Sequence, residues 1–108
     1  MFKSLEGAVL GAWVAHGEGR FILPGDKSKY NVAAEYTYPS YPGNPNDSDF
    51  AAAAVSSKDG RHLAIMPHIE RALFPWNWPH YQQHEKKIHE IGPWIEAFVN
   101  ARNWLKKI

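Results

Sequence analysis

Apolar residues fall into four short runs along the first two thirds of the chain, and each run has the length of a β-strand. Residues 9–15 are almost entirely apolar, which is typical of a short buried strand. Along residues 31–38, apolar and aromatic side chains occupy every second position, as they do on a strand with one face inward. The pattern predicts a strand at each place, and Pro39 ends the second.

The third and fourth runs, residues 50–57 and 61–66, flank Lys58-Asp59-Gly60. An Asp-Gly pair between two apolar runs is a strong signal for a β-hairpin. Upstream, residues 39–49 hold three prolines, two asparagines, two aspartates and a glycine. These residue types fix or break the backbone at nearly every step, so they predict a long structured loop.

A helix is predicted at the end of the chain. Gly92-Pro93 is a typical helix start, with Pro93 at the first helical position, and Glu96 in the first turn suits the positive end of the helix dipole. Six apolar residues share one stripe of this helix: Trp94, Ile95, Phe98, Val99, Leu105 and Ile108. Residues 74–92 show no apolar period and are predicted to be irregular. The pattern predicts an α/β fold in which strands and a β-hairpin are followed by a closing C-terminal helix.

Composition limits the classes of function. The chain has 108 residues, of which 44% are hydrophobic, and this is enough apolar material for one globular unit. A formal charge of +1 gives no field that would favour nucleic acid or an anionic membrane surface. Trp13 and Trp94 fall on core-type positions, which favours core packing over a base-stacking surface.

The expected compartment is the cytoplasm. No run approaches the roughly 20 apolar residues that span a bilayer, and the first residues lack a secretory pattern. The sequence contains no cysteine, which excludes disulfides, thiolate metal sites and a cysteine nucleophile within these residues.

A histidine and a carboxylate two residues apart follow the last predicted strand, in the segment Met66-Pro67-His68-Ile69-Glu70-Arg71. In an extended backbone, residues i and i+2 project from the same face, so we expect the Glu70 carboxylate to lie near the His68 ring. Such a carboxylate fixes the histidine tautomer and leaves the other ring nitrogen to act as a base. The spacing alone is weak evidence, because most such pairs are surface polar residues.

Several segments in order along the chain carry a resemblance. They are Val14-Ala15-His16-Gly17-Glu18-Gly19-Arg20, Tyr41-Pro42-Gly43-Asn44-Pro45-Asn46-Asp47-Ser48, Asp59-Gly60-Arg61, the Met66 to Arg71 segment, Pro93-Trp94-Ile95-Glu96-Ala97-Phe98 and Asn100-Ala101-Arg102. Together they resemble the last part of the phosphoribosylformylglycinamidine synthase family, in its large single-chain form. The resemblance covers nearly the whole chain.

The resemblance implies that the chain is the C-terminal part of a class I glutamine amidotransferase domain of the triad type. In such a domain a cysteine attacks the side-chain amide of glutamine, and His68 and Glu70 match the histidine and glutamate that complete the triad. The family hydrolyses glutamine to supply ammonia for the ATP-dependent conversion of formylglycinamide ribonucleotide to the amidine, a step of purine biosynthesis. The resemblance places ATP and Mg²⁺ in the intact enzyme, with no cofactor in this part. Its implied partners are glutamine, the remaining glutaminase segment and the synthetase domains.

The missing cysteine is the largest departure from the family. We expect a fragment whose nucleophile lies upstream, inactive alone and prone to self-association through exposed apolar surface. Ile69 replaces a family proline but points away from the catalytic pair in an extended backbone. Asp47 stands where the family commonly has glycine, a position that suggests a positive φ.

Other interpretations remain open at this stage. His16 could line the glutamine pocket or simply sit in a glycine-rich turn. His80, His84 and His89 could bind a metal, although we favour a solvated polar segment because no fourth ligand stands at a known spacing. The chain could also be a free-standing, non-catalytic binding domain, which would require a complete core from these residues.

Overall fold

A computed structural model describes residues 1–15, 17–78 and 91–107. These residues form two compact units. The central unit is Val14–Pro67, and the terminal unit combines Met1–Trp13 with the described part of His68–Ile108. No helix among the described residues is long and apolar enough to cross a membrane.

The central unit is built on a three-stranded antiparallel sheet. Its strands are β1 (Asn31–Glu35), β2 (Ala52–Ser56) and β3 (Leu63–Ile65), and they lie in the order β1-β2-β3. The β2–β3 register pairs Ala54 with Ile65 and Ser56 with Leu63. This confirms the predicted strand after residue 31 and the predicted hairpin around Asp59-Gly60, although each strand is shorter than its apolar run.

Side chains of the 39–49 loop hold the segment before β1 in place. Asn44 is 1% exposed. Its amide donates to the Ser48 carbonyl at 2.9 Å and accepts from the Ser48 N–H at 3.0 Å. Ser48 Oγ accepts from the Phe21 N–H at 2.9 Å, and Asp49 accepts from the Leu23 N–H at 2.7 Å. The loop is therefore structured, as predicted, because polar side chains replace a backbone ladder.

The terminal unit contains helix α1 (Ile95–Leu105) and the 3-10 turn Ile69–Ala72. The N-terminal residues pack on the helix: Ser4 donates to Glu96 at 3.0 Å, and Asn100 donates to Ser4 at 2.6 Å. Helix α1 confirms the predicted C-terminal helix. It begins at Ile95, since Pro93 and Trp94 form a turn before it, so the predicted start at Pro93 was two residues early.

The predicted strand over residues 9–15 is wrong. Within the described residues this segment makes a single antiparallel bridge, between Trp13 and His68, and no ladder. An apolar run becomes a strand only where a neighbouring strand pairs with it along its length. Here a single residue, His68, lies opposite Trp13. Trp13 is also 46% exposed, so its assignment to a core position was wrong as well.

Small side chains dominate the buried interior of the described residues. Seven hydrophobic residues are buried, and five of them are alanines: Ala52, Ala53, Ala54, Ala72 and Ala97. Much of the larger apolar surface faces outward, including Phe98, Val99 and Leu105 on the predicted helix stripe. The chain thus leaves uncovered many side chains that normally fill a core.

Candidate active site

His68 is the residue immediately before the 3-10 turn Ile69–Ala72. Its backbone N–H donates to the Trp13 carbonyl at 2.9 Å, and its own carbonyl accepts from the Arg71 N–H at 3.2 Å. Both bonds lie within the terminal unit and fix the backbone on either side of the imidazole. The backbone that carries the ring is therefore held in place. A general base requires this, because it must lie within hydrogen-bond distance of the proton that it takes.

The His68 and Glu70 side chains form a close pair. Nδ1 of His68 lies 2.6 Å from Oε1 of Glu70. Because an ionised carboxylate can only accept, the pair assigns the ring proton to Nδ1 and leaves Nε2 as the nitrogen able to take a proton. The His68 hydrogen bond, followed by the Glu70 backbone N–H, holds the pKa of the Glu70 carboxyl below its usual value. Arranged in this way, the pair is a base with a fixed tautomer that keeps its carboxylate charged.

The pair was predicted, but the geometric reason given for it was wrong. The prediction assumed an extended backbone in which alternate residues share a face. In the structure Glu70 lies inside the 3-10 turn Ile69–Ala72. The turn bends the backbone so that the Glu70 carboxylate meets the ring of His68, the residue just before the turn. Ile69 is 4% exposed, so it points into the terminal unit while its two neighbours remain accessible. Ile69 therefore does not disturb the pair.

Four histidines considered from the sequence lie outside the residues that the structure describes. They are His16, the glutamine-pocket candidate, and His80, His84 and His89, the metal candidates. The turn that follows His16 is described: Asn46 donates to the carbonyls of Gly17 and Gly19. Across the described residues, no three His, Asp or Glu side chains come together as a metal site would require.

A depression of about 580 Å³ opens in the central unit between the 39–49 loop and β1. The charges along it are largely engaged within the protein. Lys27 pairs with Glu35, and Asp49 accepts from Leu23 and lies 3.9 Å from Arg20. Because Lys27, Glu35 and Asp49 are committed to these contacts, the depression offers less chemistry than the His68–Glu70 pair.

Tryptophan contacts around His68 were missed by the sequence reasoning. The indole N–H groups of Trp78 and Trp94 both donate to the Gly11 carbonyl at 2.7 Å, and that of Trp13 donates to the Asn77 carbonyl at 2.6 Å. Each of these bonds joins residues that are 64 to 83 positions apart, so no local pattern could have linked them. The one available signal was the concentration of tryptophan: five in 108 residues.

The chain is similar to known proteins over almost its entire length. It is 39% identical to phosphoribosylformylglycinamidine synthase of Homo sapiens over 96% of this chain and 9% of that protein. It is 40% identical to the probable phosphoribosylformylglycinamidine synthase, chloroplastic/mitochondrial, of Arabidopsis thaliana, over 98% of this chain and 8% of that protein. The chain thus spans less than a tenth of the length of these two relatives.

A shorter relative is the phosphoribosylformylglycinamidine synthase subunit PurQ of Methanococcus maripaludis, 32% identical over 82% of this chain and 37% of that protein. No solved structure matches this chain. Residues 1–105 match a family of amidotransferase domains, which is 105 of 108 positions. The chain therefore belongs to the CobB/CobQ-like glutamine amidotransferase domain family.

Proposed function

We propose that this chain supplies the histidine and glutamate of a glutaminase triad, as the C-terminal part of the glutaminase domain of a larger phosphoribosylformylglycinamidine synthase. The observation that carries the proposal is the 2.6 Å contact between His68 Nδ1 and Glu70 Oε1. Family membership supports it, because glutamine amidotransfer calls for a base beside a nucleophile. The nucleophile is a cysteine outside these residues, since they contain none.

His68 acts as the base and then as the acid of the reaction. Nε2 takes the proton of the cysteine thiol as the sulfur attacks the side-chain amide carbon of glutamine. The same nitrogen returns that proton to the departing nitrogen, which releases ammonia and leaves a glutamyl thioester. Water then attacks the thioester with His68 again as base, which gives glutamate and restores the thiol. Glu70 holds the ring in the required tautomer and stabilises its charged form.

The ammonia is consumed outside this chain. In the complete enzyme ATP activates the amide oxygen of formylglycinamide ribonucleotide, and ammonia replaces that oxygen to give formylglycinamidine ribonucleotide, a step of purine biosynthesis. We assign ATP and Mg²⁺ to the synthetase domains of the complete enzyme. The partners of this chain are accordingly glutamine, the cysteine-bearing segment and those domains.

The size of the native polypeptide is the first test. An antibody raised against this chain should detect, on a denaturing gel of source-cell extract, a band many times larger than 12.3 kDa. A band at 12.3 kDa would instead identify a free-standing protein without a nucleophile and would favour a non-catalytic binding domain.

The roles of the pair are tested in the complete enzyme with two ammonia sources. His68→Ala should abolish glutamine-dependent synthesis, and Glu70→Gln should weaken it less, because the neutral amide still accepts from Nδ1. Synthesis from added ammonium should survive both changes. His62→Ala is the matched control, since His62 is exposed on the hairpin of the central unit. Wild-type glutamine-dependent rates in His68→Ala would remove the triad assignment.

A further inference from the structure

Three of the five tryptophans form a set of contacts that we call the indole clamp. Its members are Trp13, Trp78 and Trp94, and each indole N–H donates to a backbone carbonyl of the terminal unit. Trp78 and Trp94 share one acceptor, the Gly11 carbonyl, which uses both of its lone pairs. Trp13 donates in the opposite direction, to the Asn77 carbonyl beside Trp78. The clamp therefore fastens residues 11–13 to residues 77–78 and to the start of α1.

The segment fastened in this way carries the backbone of His68. The Trp13 carbonyl accepts from the His68 N–H at 2.9 Å. This bond belongs to the single antiparallel bridge that residues 9–15 make within the described residues. A segment with a single bridge has no ladder to fix its position. In the described residues, the indole bonds to Gly11 and from Trp13 take the place of that ladder. The position of His68 thus depends on Trp13, and the position of Trp13 depends on the clamp.

We propose that Trp78 and Trp94 are positioning residues for His68, acting together through the Gly11 carbonyl. The proposal rests on the proposed function of His68 as the base of a glutaminase. Both indole N–H groups donate to the Gly11 carbonyl and not to the imidazole. Their effect passes through residues 11–13 to the backbone N–H of His68, and it sets where Nε2 stands when the thiol proton is transferred. Displacement by about 1 Å at a reacting group can lower a rate on the order of 100-fold.

The shared acceptor gives the proposal a distinctive signature. When one indole N–H is removed, the Gly11 carbonyl still has the other donor, so the segment stays in place. When both are removed, a partly buried carbonyl loses its partners, and leaving such a group unsatisfied is more harmful than weakening one bond. The two substitutions should therefore be strongly non-additive, as expected for residues that share a partner.

The test is a substitution series in the complete enzyme. Trp78→Phe and Trp94→Phe each remove the N–H and keep an aromatic ring. Each single variant should keep glutamine-dependent kcat within about threefold, whereas the double variant should lose about 10-fold or more. KM for glutamine should stay within about threefold, because the clamp acts on the base and not on uniform substrate binding. Ammonium-dependent synthesis should be unchanged.

The chain supplies a matched control for the same chemical change. Trp76 and Trp104 are exposed, at 69% and 37%, and among the described residues neither indole N–H donates a hydrogen bond. The double variant Trp76→Phe with Trp104→Phe should keep wild-type kcat for glutamine. An equal loss in this control, or additive losses in the Trp78 and Trp94 series, would overturn the proposal.

Two further measurements separate positioning from loss of the fold and from failure of the proposed function. Replacing Trp78 and Trp94 by 3-benzothienylalanine keeps the bicyclic shape and substitutes sulfur for the N–H, so this double variant should reproduce the kcat loss if the phenylalanine variant does not fold. Hydrogen exchange in the peptide covering residues 66–71 should accelerate in either double variant, because the His68 N–H is held by Trp13.

If His68→Ala keeps glutamine-dependent activity, the proposed function fails. If His68→Ala is inactive while the double variants keep wild-type kcat and wild-type exchange, only the clamp proposal fails.

Discussion

At the scale of single residues, the titration of Glu70 is the most direct report on the catalytic pair. Its carboxyl pKa lies below 4.5, with the His68 hydrogen bond as the largest cause. Because the folded-state pKa is depressed, the pair stabilises the fold above about pH 4.5, and this contribution is lost as pH falls through the folded-state value. A ¹³C NMR titration of the Glu70 carboxyl should show a midpoint under 4.5 that rises in His68→Ala. A midpoint that does not move in that variant would contradict the hydrogen bond as the cause.

Asp47 illustrates a backbone requirement that the sequence did expose. Its φ is +58°, the left-handed conformation that a glycine at this position would adopt with less strain. Asp47→Gly should stabilise the protein by about 0.5–1 kcal/mol, because relief of left-handed strain outweighs the greater freedom of glycine in the unfolded chain. Urea denaturation measures the change. Asp26→Gly is the control: Asp26 is exposed with φ −78°, so glycine there should give no gain.

Which residue contacts could be predicted from the sequence depended on how far apart the two residues are along the chain. The His68–Glu70 pair and the positive φ of Asp47 are local properties, and short motifs carry them. The three indole bonds join residues that are 64 to 83 positions apart, and only folding brings these together. For the same reason the sequence named the two candidate catalytic side chains but not the tryptophans around them.

At the scale of elements, the β2–β3 hairpin shows turn chemistry at work. Gly60 has φ +72°, and Asp59 Oδ1 accepts from Ser57 Oγ at 2.6 Å and from the Arg61 N–H at 3.1 Å. Gly60→Ala should lower the free energy of unfolding by about 1–2 kcal/mol, because alanine is strained at a left-handed φ. A steric clash does not contribute, since an added Cβ would meet no atom within 4 Å. Thermal unfolding provides the measurement, with Lys58→Ala in the same turn as the control. Equal melting temperatures for the two variants would show that the turn does not require glycine.

The elements that were predicted correctly find their backbone hydrogen-bond partners nearby in the sequence. The hairpin brings β3 against β2 through a short turn, and α1 satisfies its backbone internally, so local signals suffice for both. The 9–15 run had the composition of a strand but no described strand beside it, and composition cannot supply a neighbour. Strand prediction from apolar runs fails where the pairing partner is not encoded nearby.

At the scale of the whole molecule, the distribution of apolar side chains is the informative property. Among the described residues the buried hydrophobic positions are mostly alanine, while fifteen large hydrophobic side chains are exposed. A free-standing domain normally buries most of its large apolar residues, and the few that are exposed are scattered singly over the surface. This inverse arrangement favours a polypeptide that is completed by further protein, as the proposed place of the chain in a larger glutaminase requires.

The exposed stripe of α1 makes this idea measurable on the chain itself. Val99 and Leu105 are 42% and 61% exposed, and lie on the same helix as Asn103, which is also exposed. We expect the purified chain to self-associate through this stripe, because apolar side chains that lack a partner in the same chain find one in another copy. Sedimentation velocity should show a concentration-dependent increase in size that is reduced in Val99→Lys with Leu105→Lys. Asn103→Lys adds a charge to the helix without removing apolar surface, so it should associate like the unmodified chain. A reduction of similar size in Asn103→Lys would assign the association to net charge and not to the stripe, and the exposed face of α1 would then have no measured role.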